Sequence, residues 1–130
     1  MRSKLGRVKG LGSAHHGLSH WWLIRVTAVA LIPLSLWFVI SLVTALLSPN
    51  VIYVAQWFSS PVNAMLMVAM LAALFIHTSL GLQEVIVDYV KCSVSRYGLL
   101  MLNTFLCFAF AITSILAVLK LHFLDVVTSL

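Results

Sequence analysis

The chain has 130 residues, of which 62% are hydrophobic and only 8% charged. A soluble domain has about a quarter of its residues charged, so this composition excludes an ordinary water-soluble domain and points to lipid as the solvent. The net charge of +5 does not imply a nucleic-acid partner. Arg2, Lys4, Arg7 and Lys9 all precede the first apolar run and form no basic face, which reads as a topogenic signal.

Residues 1–22 are expected to form a cytoplasmic N-terminal segment, extended or loosely ordered as far as residue 19. His20, Trp21 and Trp22 then lead into an apolar run, and paired tryptophans at such a place suit a membrane interface. The first span is expected from about 23 to 47. Too long for a signal-peptide core and lacking a small-residue cleavage site, it reads as retained. Its interruptions are Arg25, four hydroxyl residues and Pro33; a membrane helix tolerates the proline when neighbours satisfy the freed carbonyl.

Residues 48–61, SPNVIYVAQWFSSP, carry no charge and hold three aromatic residues between Pro49 and Pro61. They read as an interfacial connection. The second span is expected at about 62–87 and the third at about 99–121. The loop between them carries Asp88, Lys91 and Arg96. The chain is therefore expected to be a single all-α, integral membrane domain of three transmembrane helices. After three spans of roughly 20 residues little chain remains for an extramembrane fold. Multistep catalysis would have to reside on another chain.

Lys and Arg cluster before the first span and in the second loop, whereas the first loop has neither. The positive-inside rule then places the N-terminus and second loop in the cytoplasm and the C-terminus outside. Cys92 and Cys107 suggest neither a disulfide framework nor a metal site.

The second span carries the chemistry. His77, Gly81, Glu84 and Asp88 are spaced four, three and four residues apart, within roughly 60° of one another on a helix. An ionisable residue inside a span is costly and marks a candidate site. A neutral imidazole there can ligate a haem iron, with Gly81 leaving room beside it. It can equally hydrogen-bond another helix, or act with Glu84 and Asp88 as a proton relay. His77 is the one histidine well inside a span, so a second axial ligand would come from another subunit or a symmetry mate.

At the cytoplasmic end, Asp88 and Tyr89 close the second span where Arg25 opens the first. The three are expected at one depth, with Arg25 and Asp88 paired. The Tyr89 phenol suits either an aromatic belt or a hydrogen bond to a quinone carbonyl.

At these residues the chain resembles a known family. His77-Thr-Ser-Leu-Gly-Leu-Gln-Glu-Val-Ile-Val-Asp88-Tyr89 looks like the H-x3-G-x6-D-Y signature of the small hydrophobic anchor of succinate dehydrogenase, respiratory complex II. Arg25-Val-Thr-Ala28 is similar to the R-x-T-A opening that family's first helix. The upstream GSAHHGLSHWW resembles its alphaproteobacterial or mitochondrion-like branch. The resemblance spans essentially the whole chain.

It implies half of a larger heterodimeric helix bundle in a bacterial inner membrane. His77 matches an axial ligand of haem b, whose other ligand belongs to the larger cytochrome b anchor subunit. Arg25 matches an arginine near the haem propionates, and His20 a histidine preceding it. Tyr89 matches a tyrosine that hydrogen-bonds ubiquinone, and Asp88 the acid that orders that pocket. Glu84 matches no family role. The implied partners include a flavoprotein subunit that oxidises succinate and an iron–sulfur subunit that relays electrons to ubiquinone. The competing classes are a proton-conducting or transport subunit built on the His77/Glu84/Asp88 stripe, and a purely structural assembly subunit.

Overall fold

The computed structural model describes residues 15–48 and 50–128. The basic cluster Arg2, Lys4, Arg7 and Lys9, and Pro49, lie outside them. Among the described residues four helices follow in order: α1 (His15–Leu47), α2 (Val51–Ser59), α3 (Pro61–Tyr89) and α4 (Ser93–Thr128). The described residues contain no strand. Within α1, α3 and α4 lie stretches long and apolar enough to cross a membrane: Gly17–Leu47, Pro61–Tyr89 and Ser93–Leu124.

All three long helices outrun the apolar stretches read from the sequence. The largest difference is at α1, which begins at His15, so residues 15–19 are helical rather than extended. His20 consequently stands inside α1, not ahead of it. The uncharged 48–61 segment contains a nine-residue helix, α2.

Its boundary with α3 follows from Pro61. A proline ring excludes the helical region for the residue before it, and Ser60 sits at φ −68°, ψ 121°. Pro61 itself suits the first turn of α3, where its missing N–H is not needed. The carbonyls this break would orphan are taken up by side chains. Asn63 Nδ2 donates to Trp57 O (3.0 Å), and the His122 ring meets Phe58 O through Nδ1 at 2.9 Å. In hydrocarbon such groups must be satisfied within the protein. Trp37 of α1 stacks on Trp57 at 5.5 Å, fastening α2 to the first span.

Helix α3 is central. It packs against α4 on one side and α1 on the other, while α1 and α4 share no extended contact. The α3–α4 hairpin turns in residues 90–92, with Val90 N–H bonded to Ile86 O and Arg96 N–H to Cys92 O.

Burial is inverted relative to a soluble domain. Thr27 and Asn103 are as buried as the two core apolar residues Ala64 and Val118, while Leu, Ile, Val and Phe lie exposed along every span. Lipid is as apolar as leucine, so helices gain from enclosing polar groups and small residues rather than large apolar ones.

Candidate functional site

Two polar contacts join α1 to α3. His20 Nε2 lies 2.7 Å from Glu84 Oε1. One level deeper, Thr27 Oγ1 lies 3.1 Å from His77 Nδ1. Seven residues up α1, from His20 to Thr27, match seven down α3, from Glu84 to His77. Seven residues are nearly two full turns, so both contacts fall on one face of each helix. The stripe predicted on α3 is real, and its partner is a matching stripe on α1.

The same register corrects two expectations. Arg25 stands level with Ser79, nine residues before Asp88, about 13 Å away along the axis. The two do not share a depth, because α1 starts ten residues ahead of Arg25. Nor do they pair: His20–Glu84 is the one ion pair among the described residues. Arg25 projects about 160° from Thr27, away from α3. Its guanidinium lies over the Trp21 ring at 4.3 Å, a cation–π contact that keeps the charge against an aromatic face.

Glu84, which matches no role in the family pattern and stood only in the proton-relay reading, is the partner of His20. A histidine and a glutamate 64 positions apart carry no local signal of their meeting. Only the register, and the shared heptad spacing of His20 to Thr27 and His77 to Glu84, would have suggested it.

His77 is partly buried, and no hydrogen bond among the described residues reaches its Nε2. Four residues on, a Cβ at Gly81 would meet no atom within 4 Å. The flank next to the imidazole is therefore open in this chain. No three His, Cys, Asp or Glu side chains cluster as metal ligands among the described residues. The described residues offer no donor set for a metal ion held by protein ligands alone, whereas one already held by a macrocycle needs only an axial nitrogen. The donor chemistry fits haem.

The polar groups facing α4 are separate. Ser79 O accepts from Asn103 Nδ2 (3.0 Å), and Gln83 Nε2 lies 3.4 Å from Thr104 Oγ1. Tyr89 ends α3 with 82% of its surface exposed, projecting about 120° from His77, and Asp88 is exposed beside it. Cys92 is exposed and Cys107 partly so, and both are free thiols.

Residues 1–122 match the family described as succinate dehydrogenase/fumarate reductase transmembrane subunit. The chain belongs to this family. It is 34% identical over 100 residues to the succinate dehydrogenase hydrophobic membrane anchor subunit of Rickettsia bellii, covering 76% of this chain and 78% of that one. The protein of the same description from Rickettsia typhi is 28% identical over 118 residues, covering 90% and 93%. The match takes in the first three helices and α4 as far as residue 122.

Proposed function

We propose that this chain is the small membrane-anchor subunit of a succinate dehydrogenase in a bacterial inner membrane, with its N-terminus cytoplasmic. In this reading it supplies one axial ligand of a haem b and one edge of a ubiquinone-reduction site. The larger cytochrome b anchor subunit, an iron–sulfur subunit and a flavoprotein subunit complete the assembly. The observation that carries it is His77: the family's motif histidine stands inside a span with Nδ1 engaged by α1 and Nε2 uncommitted.

His77 would hold the iron through Nε2. The haem, when bound, supplies a reversible one-electron store within the membrane. The chain's own residues do the rest by placement. The α1–α3 contacts hold the imidazole, and Gly81 leaves its flank clear. Arg25, two residues from the level of His77, is a fixed cation on the outer side of α1. A carboxylate brought there by a partner or by a propionate would balance it. Glu84 engages the His20 imidazole, which would otherwise be a second candidate near the propionates.

Tyr89 stands twelve residues beyond His77, roughly 18 Å along the axis. Its phenol would donate to a quinone carbonyl, with Asp88 adjacent to order the pocket and pass protons. The exposure of both fits a pocket closed by other subunits. A proton relay along the stripe is less well supported, because His77 and Glu84 each bond to α1 and not to one another.

A reduced-minus-oxidised visible spectrum of the purified complex tests the ligand assignment. His77→Ala should abolish or displace the b-type band; a band unchanged in that variant would reject the assignment.

A further inference from the structure

We propose that Thr27 is the positioning residue of His77: its hydroxyl oxygen accepts a hydrogen bond from Nδ1–H, which fixes the imidazole tautomer and turns the Nε2 lone pair toward the iron. This rests on the reading of His77 as a haem ligand.

The hydroxyl has three neighbours. Leu23 O lies at 2.8 Å, Ile24 O at 3.0 Å and His77 Nδ1 at 3.1 Å. It has one proton to give, and two of the three neighbours are carbonyl oxygens, which only accept. If the proton pointed at Nδ1, Oγ1 would face two carbonyl oxygens with no hydrogen between them. Thr27 is 6% exposed, so little water reaches it to relieve that repulsion. The favourable arrangement gives the proton to the backbone, the usual back-bond of a helical threonine. Oγ1 then presents a lone pair to His77, and Nδ1 must carry hydrogen. A neutral imidazole has one N–H, so Nε2 is bare.

The geometry also holds direction. A β-branched side chain has few rotamers in a helix, and the back-bond selects one of them. The acceptor is thus fixed to α1 and the ring to the acceptor. Such outer contacts orient a ligating histidine and strengthen its donor nitrogen.

The test uses the assembled complex with Thr27→Val, which replaces the hydroxyl by a methyl, and Thr27→Ser, which keeps it. Thr27→Ala, adding no bulk, repeats the test should valine disturb assembly. The readouts are haem retained per flavin after detergent washing and the haem midpoint potential. Removing the acceptor should lower haem affinity by about 10-fold. It should also move the potential of the retained haem positive, because a less electron-rich imidazole stabilises ferric iron less. Serine should restore both. Wild-type haem content and potential in the valine or alanine variant, with the band lost in His77→Ala, would overturn the role of Thr27 and leave the ligand assignment standing. A band that survives unchanged in His77→Ala overturns both.

Discussion

Replacing Asn103 by leucine should loosen the α3–α4 hairpin by about 1 kcal/mol. Asn103 is buried within this chain at 8% exposure, so the effect does not depend on what covers the outer faces. The leucine removes one interhelical hydrogen bond, from Nδ2 to Ser79 O at 3.0 Å, and the weak bond that Cys107 Sγ gives Oδ1 at 3.6 Å. The Ser79 carbonyl keeps its helical N–H four residues on, so no acceptor is orphaned. Interhelical bonds in membranes average about 0.6 kcal/mol and reach about 1.7. Asn103→Asp should be worse. It sets an acceptor against a carbonyl and places an acid inside a span, at about 2.5–3.5 kcal/mol near a helix centre. Cys107, only partly exposed, reports the opening. With Cys92 replaced by serine, a membrane-permeant maleimide should label Cys107 about 5-fold faster in Asn103→Leu, the ratio that 1 kcal/mol implies. Equal rates in wild type and Asn103→Leu, or a leucine variant faster than the aspartate, would refute this account of the helix contact.

A double-mutant cycle on His20 and Glu84 should give a coupling of about 0.2–1 kcal/mol in chemical unfolding of the complex, since their side chains are 32% and 54% exposed in this chain. A coupling above about 3 kcal/mol would mean that the pair is desolvated in the assembly. Tyr89→Phe should lower succinate-to-quinone turnover while succinate-to-dye activity holds; equal loss of both would point to assembly instead. Pro61→Ala should shift the α2–α3 boundary, because Ser60 would regain the helical region. Its readout is altered cysteine-scanning accessibility at residues 58–62, and an unchanged pattern would show that Asn63 and His122 set the boundary without the ring.

The spans were legible because lipid rewards unbroken apolar runs, and α1, α3 and α4 contain them. The polar face of α3 was legible too, because His77, Gly81, Glu84 and Asp88 follow helical spacing whatever their partners. What spacing could not supply was depth. The unbroken apolar run opens beside Arg25, which by sequence sets that residue at the edge of a span. Yet His15, Gly17 and Ser19, weakly hydrophobic or polar, all continue the helix outward. Eight extra residues precede the expected start of the span, and the α1–α3 register leaves Arg25 about two and a half turns from Asp88, which dissolves the expected pair. Helix α2 was hidden for a related reason: its nine residues lie between prolines and suggest a connection, whereas its last carbonyls are secured by Asn63 and His122 from distant parts of the chain.

Helix α3 has two sides covered by its own chain. The His77 and Glu84 face meets α1, and the Ser79 and Gln83 face, about 200–240° around from His77, meets α4. Tyr89, at about 120°, projects between them and is exposed. His77 reaches α1 with one nitrogen only. Of the groups that chemistry would use, the imidazole is engaged through Nδ1 alone, and no hydrogen bond among the described residues reaches the phenol. An internally satisfied stripe would suit a helix that merely packs. A stripe satisfied on one side and open at Nε2 and Gly81, with Tyr89 exposed beside it, suits a chain that contributes edges to sites finished by another subunit. Among the described residues no three metal-ligating side chains cluster, and a lone imidazole with one open nitrogen is what the proposed haem role asks of this chain.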